Sequence, residues 1–146
     1  MTAPAVTFGV LGPVTATDPS GASIALRGPR HREVLARLLV ARGRVVPVQA
    51  IVDDLWGGEA PPTAPAAVRT FVAALRRATE PDRAPRTAPT LIRTEGPGYS
   101  VALAPDAVDA WQFTDAVTVA SSRPPADRVV LLETALGYWR GPAYAD

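Results

Sequence analysis

The sequence predicts an α+β fold, and three features of the residue pattern support this prediction. Apolar and polar residues alternate with a period of two over residues 6–27 and again over residues 91–103, which is typical of half-buried strands. Between these regions, apolar residues recur at intervals of three and four, which is typical of amphipathic helices. Glycine and proline clusters separate the segments. A chain of 146 residues is long enough to bury one such core.

Three short strands are predicted at the start of the chain. Apolar residues alternate with polar ones around Phe8, across residues 14–17 and across residues 23–27. Turn signals separate them, namely Gly12-Pro13 and the run DPSG at residues 18–21. We therefore expect a small antiparallel sheet.

Two helices are predicted to follow the sheet. The first begins near Pro29, which suits a first helical turn, and ends before Gly43. The second follows Pro47 and ends at Trp56. His31 lies in the first turn of the first helix. We assign it to the solvated surface, since the chain has neither a cysteine nor a second histidine that could form a metal site with it.

The third predicted helix, residues 63–80, is amphipathic and basic. Its apolar positions recur at helical spacing and would face a core, and they are Val68, Phe71, Val72, Leu75 and Ala78. The opposite face carries Arg69, Ala73, Arg76, Arg77 and Glu80. Most basic helix faces are only solvated surface, so the interpretation of this one depends on its neighbours.

A strand–turn–strand pattern follows the basic helix. Residues 91–95 and 99–103 flank the turn Gly96-Pro97-Gly98. Strands, two helices, a third basic helix and a terminal hairpin are the parts of a winged helix-turn-helix, in which the third helix enters the major groove and the hairpin contacts the backbone. The predicted fold is thus a winged helix with an N-terminal antiparallel sheet, three helices and a C-terminal β-hairpin wing, followed by a helical hairpin in residues 106–146.

The net charge of +1 conceals an asymmetry along the chain. Residues 1–105 hold 12 arginines against 8 acidic residues, a balance of +4, whereas residues 106–146 hold 3 against 6, a balance of −3. A basic N-terminal part is compatible with a polyanionic partner such as nucleic acid.

Five motifs occur in order along the chain. They are FGVLGP at residues 8–13, LRGPRHREVLARLLVARGRVV at 26–46, DLWGGEAPPTA at 54–64, VRTFVAALRRA at 68–78 and GPGY at 96–99. Together they resemble the N-terminal DNA-binding domain of the Streptomyces antibiotic regulatory protein family, which is of the OmpR/PhoB type. Residues 106–146 resemble the beginning of the bacterial transcriptional activation domain of that family. We therefore predict a DNA-binding domain at residues 5–105 and a partial activation domain at residues 106–146.

The winged-helix pattern and the resemblance together indicate where DNA would bind. The candidate DNA-binding residues are Arg69, Thr70, Ala73, Arg76, Arg77, Arg93, Thr94 and Gly98. Two positions depart from the family pattern, because Ala74 and Glu95 stand where members usually carry arginine. Both changes would remove positive charge from the expected DNA face.

Other roles are open for three of these arginines. Arg76 and Arg77 could instead pair with Glu80 or Asp82, and Arg93 could simply face solvent. The alternative function is a winged-helix protein–protein interaction module, in which the basic helix binds an acidic partner and DNA binding is weak or vestigial.

The resemblance implies a transcriptional activator of secondary-metabolite genes, including those of antibiotic biosynthesis. It would bind tandem direct repeats in double-stranded DNA as a head-to-tail dimer and recruit RNA polymerase. The candidate polymerase contact is the loop between the second and third helices, with Gly57, Gly58 and Glu59. A plain connector is the alternative for this loop.

Enzymatic function is not expected. The sequence has no Gly-rich phosphate loop before a helix, no supported set of nucleophile, histidine and acid, and no metal-ligand spacing, so we expect neither a cofactor nor a metal. No apolar run approaches the roughly 18 residues of a membrane span, and the start lacks the basic segment of a signal peptide. We expect a cytoplasmic protein.

Overall fold

A computed structural model of the chain describes residues 5–145. By their internal contacts these residues divide into two compact units: residues 24–103, which we call the helix–wing unit, and residues 5–23 together with 104–145, which we call the terminal unit. The predicted domains at residues 5–105 and 106–146 follow family resemblance rather than contacts, and they remain a prediction. None of the helices within residues 5–145 has the length and apolar character needed to cross a membrane.

Six strands and five helices follow one another within residues 5–145. They are β1 (Thr7–Gly9), β2 (Thr15–Thr17), β3 (Ser23–Ile24), α1 (Pro29–Val40), β4 (Val46–Pro47), α2 (Val48–Trp56), α3 (Ala64–Thr79), β5 (Ile92–Glu95), β6 (Gly98–Val101), α4 (Asp109–Ala120) and α5 (Pro125–Leu136). A short 3-10 turn precedes α4. One sheet has the strand order β1-β2-β3 and the other has the order β4-β6-β5.

The core of the helix–wing unit lies between its three helices. Its fully buried side chains are aliphatic, and they include Val34, Leu35, Leu38, Leu39, Ile51, Val52, Val68, Val72 and Leu75. Burial of one such side chain contributes about 1.5–3 kcal/mol. Because these residues recur every three or four positions, each helix has one apolar face, and α1 packs against both α2 and α3.

The predicted hairpin is present and forms the wing, which consists of β5, a turn at Gly96-Pro97 and β6. β6 is central in its sheet, since it pairs with β5 on one side and with β4 on the other. In this register Gly98 lies opposite Pro47 and Glu95. The wing is therefore joined by backbone hydrogen bonding to the strand that precedes α2.

Gly98 has no room for a side chain. A Cβ atom at this residue would lie 2.1 Å from the carbonyl oxygen of Val46 and 2.7 Å from the Cα atom of Pro47. Both are backbone atoms of the paired strand β4, so they can move only if β4 and β6 separate.

Replacing Gly98 with alanine should therefore destabilise the helix–wing unit, by about 2 kcal/mol in the free energy of unfolding. The matched control is Gly58→Ala, because among residues 5–145 no atom outside the adjacent residues lies within 4 Å of the corresponding Cβ position. That control should change the free energy of unfolding by less than about 0.5 kcal/mol. Urea denaturation of both variants measures the difference, and equal midpoints would contradict the close approach.

In the terminal unit, the first strand is tied to the start of α4. β1 pairs antiparallel with β2, and Phe8 also forms a bridge with Val108. The carboxylate of Asp109 accepts hydrogen bonds from the backbone N–H groups of Val10, at 2.8 Å, and Leu11, at 3.2 Å. The predicted helical hairpin is present as α4 and α5, which pack on each other. These contacts explain why residues distant in sequence form one compact unit.

His31 does not lie on the solvated surface, so that prediction is wrong. Its ring packs edge-on against Phe71 of α3, with the ring centroids 4.9 Å apart, and its Nδ1 atom is buried with no hydrogen-bond partner in the described part of the chain. Burial lowers the pKa of His31, and the positive charges of Arg27 and Arg32 lower it further. The packing of α1 on α3 therefore favours a neutral imidazole.

Acidification should weaken the helix–wing unit through His31. The folded-state pKa of His31 lies below the ordinary value of 6.5. The contribution of the neutral His31 side chain to stability is therefore fully present at a pH above 6.5 and is lost as the pH falls through the folded-state pKa. His31→Gln should remove this part of the pH dependence. Urea midpoints at about pH 7.5 and about pH 5 compare the two proteins, and an equal fall in both would contradict this role.

Candidate nucleic-acid interface

One side of α3 is free of the core. Arg69, Thr70 and Arg77 are exposed, and Ala73 between them is half-buried. Residues separated by three or four positions lie on the same side of a helix, so these four side chains share one surface. Two guanidinium groups thus flank a short hydroxyl and a methyl group, which leaves space for another molecule to approach closely.

Ala74 is not part of this surface. It is 5% exposed and packs in the core, because successive residues on a helix are rotated by about 100°. The expectation that alanine at this position removes charge from the exposed face is therefore wrong.

Arg76 bridges α3 and the wing. Its Nε atom donates to the carbonyl oxygen of Ile92 at 3.0 Å, and its Nη2 atom donates to the hydroxyl of Thr94 at 2.9 Å. The guanidinium also lies 5.4 Å from the centroid of the Tyr99 ring. Burial lowers the pKa of Arg76, and the neighbouring Tyr99 opposes this change. Arg76 therefore binds the wing rather than Glu80 or Asp82.

Glu80 makes a second connection, immediately after the last turn of α3. Its Oε1 atom accepts from the backbone N–H of Thr90 at 2.9 Å and from that of Leu91 at 2.8 Å. Its Oε2 atom accepts from the Thr90 hydroxyl at 3.0 Å. We refer to Arg76 and Glu80 together as the α3–wing clamp. The role of Glu80 could not be predicted from the sequence. Its partners Thr90 and Leu91 lie ten and eleven residues further along the chain, outside any helical or strand periodicity.

The wing exposes both charges of β5. Arg93 and Thr94 are exposed, and the Nε atom of Arg93 donates to the carbonyl oxygen of Thr90 at 3.3 Å. Glu95 is also exposed and accepts a hydrogen bond from Ser100 at 2.9 Å, so the acidic departure from the family pattern does lie on the surface. Gly98, by contrast, is buried against β4, which gives it a packing role.

The loop after α2 is open to solvent. Gly57, Gly58 and Glu59 are exposed, and Gly57 adopts a φ of +65° with its N–H donating to Asp53 at 2.8 Å. In the described part of the chain, no atom outside the adjacent residues lies within 4 Å of a Cβ position built on either glycine. The guanidinium of Arg30 lies 5.0 Å from the centroid of the Trp56 ring, at the start of the loop.

Three packed helices, a small sheet and a hairpin wing beside a basic third helix define a winged-helix domain. This is a class of nucleic-acid-binding domain in which the free side of the third helix is the usual contact surface. The predicted fold class is confirmed.

Comparison with known proteins gives the family. The family described as transcriptional regulatory protein, C terminal, matches residues 21–101, and the chain belongs to it. The chain is 33% identical to the transcriptional regulator RedD of Streptomyces coelicolor over 97% of its length, and 36% identical to the regulatory protein AfsR of the same species over 97%. It spans 41% of RedD and 14% of AfsR.

A solved structure is also similar. Mycobacterium tuberculosis EmbR in complex with a low affinity phosphopeptide superposes with a TM-score of 0.83 at 29% identity, over 95% of this chain and 37% of that one. The resemblance to the Streptomyces antibiotic regulatory proteins is thus confirmed, and the domain is an OmpR/PhoB-type winged helix of the transcriptional regulatory family. These relatives are regulators, which is consistent with the expectation that the chain is not an enzyme.

Proposed function

We propose that the chain binds double-stranded DNA sequence-specifically and activates transcription of secondary-metabolite genes, such as those of antibiotic biosynthesis. The observation that supports this proposal is the free side of α3, with Arg69, Thr70, Ala73 and Arg77, held beside a wing that exposes Arg93. The α3 residues would read base edges, while Arg93 and Thr94 would contact phosphates.

The dimensions of α3 suit the major groove, because an α-helix with its side chains is about 10–12 Å across and the groove is about 12 Å wide. Arg69 and Arg77 are eight residues apart in the sequence and lie about 12 Å apart along the helix axis, so they would contact different base pairs or phosphates. A guanidinium can donate two hydrogen bonds to guanine, while the methyl groups of Thr70 and Ala73 suit contact with thymine. The surface therefore offers both polar and apolar readout.

Replacing Arg77 with alanine should weaken binding to a selected duplex about tenfold at low salt, the effect of one charge-assisted contact. The matched control is Arg123→Ala, which removes the same charge from an exposed residue outside the proposed interface. Arg76→Ala is a poorer test, because it also breaks the α3–wing clamp. Fluorescence anisotropy measures the affinities, and equal losses for Arg77→Ala and Arg123→Ala would contradict groove contact by α3.

A protein–protein module is the second candidate function. Exposed Glu95 supports it, since an acidic side chain on the wing would repel a phosphate backbone. Failure to bind any duplex at low salt, together with salt-sensitive binding to an acidic peptide, would favour this candidate over DNA.

The proposal extends to RNA polymerase and to a head-to-tail dimer on tandem direct repeats. Both follow from the family resemblance, and the solvent-exposed loop at Gly57, Gly58 and Glu59 supports the polymerase contact. Within residues 5–145, no atom outside the adjacent residues lies within 4 Å of a Cβ position built on Gly57 or Gly58, which would let a partner approach the loop closely at these residues.

Deleting residues 58–60 and reclosing the loop should leave DNA affinity nearly unchanged but abolish activation in a purified polymerase assay. A finer variant is Glu59→Lys, with Asp82→Lys as the control for the same charge change at an exposed acid outside both the loop and residues 106–146. Loss of activation only with Glu59→Lys would support the contact. Loss of DNA binding with the deletion would mean that the loop only supports the fold.

A further inference from the structure

We infer that Glu80 is a positioning residue that fixes the wing against α3. The wing would then contact DNA phosphates while α3 contacts the major groove of the same duplex. This inference rests on the proposed DNA binding. Glu80 would not touch DNA, and its effect would pass through Arg93 and Thr94 on β5.

The first argument is geometric. Glu80 follows the last turn of α3, where its own N–H donates to the carbonyl oxygen of Arg76 at 2.9 Å, so its backbone is held by the helix. Its carboxylate receives the N–H groups of Thr90 and Leu91, the two residues that lead into β5. With Arg76 bound to Ile92 and Thr94, two side chains one helical turn apart hold the segment 90–94.

The second argument concerns the chemistry of the carboxylate. Two backbone N–H groups converge on its Oε1 atom, which only a strong acceptor accommodates well. Partial burial alone would raise the pKa of Glu80, but the hydrogen bonds from Leu91 and Thr90 outweigh it and lower the pKa. The side chain is therefore a charged acceptor at neutral pH.

The third argument distinguishes positioning from charge. An acidic side chain near a DNA-binding face repels phosphates, so electrostatics alone predicts that Glu80→Ala would tighten DNA binding. The clamp predicts weaker DNA binding, because without Glu80 the wing would no longer hold Arg93 against the DNA phosphates. The direction of the change therefore separates the two accounts.

The experiment measures duplex affinity against salt concentration for several variants of the full chain. Glu80→Ala should weaken binding about fivefold to tenfold and reduce the slope of log affinity against log salt by about 0.9, the loss of one phosphate contact. Glu80→Gln should weaken binding less than Glu80→Ala does. Its amide oxygen can still accept from both N–H groups and its NH2 can donate to the Thr90 hydroxyl, but the amide oxygen is a weaker acceptor than the carboxylate.

A double-mutant cycle tests the route through the wing. If Glu80 acts through Arg93, the double variant Glu80→Ala/Arg93→Ala should lose little more duplex affinity than either single variant. The losses of affinity caused by Glu80→Ala and by Arg77→Ala should instead add. Should Glu80→Ala fail to fold, Glu80→Asp replaces it. The shorter side chain keeps the charge but cannot reach both N–H groups, so it should show the same fall in slope.

Unchanged or tighter binding by Glu80→Ala would overturn the inference, as would full additivity with Arg93→Ala or an unchanged slope for Glu80→Asp. Failure of the proposed function itself is distinguishable, because Arg77→Ala and Arg93→Ala would then also leave duplex binding unchanged, and the inference would fall with it.

Discussion

The structure of the helix–wing unit depends on the division of α3 into a buried side and a free side. The buried side supplies Val68, Val72 and Leu75 to the core, and the free side carries Arg69 and Arg77. A helix that was apolar all round would be fully enclosed, and one that was polar all round would not be held. Because packing fixes the rotation of α3, it also fixes which arginines can meet another molecule.

The last turns of α3 extend this constraint to the wing. The α3–wing clamp places the start of β5 beside the helix, while Gly98 lets β6 approach the backbone of β4. The hairpin is therefore held from both of its strands, through side chains on one side and through backbone contact on the other. Such a wing presents Arg93 in a defined place rather than on a mobile loop, which would lower the entropic cost of the proposed DNA binding.

Periodicity in the sequence was sufficient for the fold class, the three helices and the wing, since each is a local pattern of apolar residues. It was insufficient where one residue meets another that is distant in sequence. His31 was placed on the surface because local spacing does not reveal the partner helix, and Ala74 was placed there by the family pattern rather than by spacing. Gly98 was assigned to a turn although it serves strand packing. The contacts of Glu80 depend on where the chain returns after α3, which no local pattern specifies.

The most direct test of the account is an NMR titration of the isotopically labelled chain with a duplex selected from random sequences. Amide shifts should change along the free side of α3, at Arg69, Thr70, Ala73 and Arg77, and along β5 at Arg93. They should change together at one stoichiometry, because the clamp joins the two elements. Shifts confined to other surfaces, with α3 unaffected by a duplex that binds, would contradict recognition by this helix.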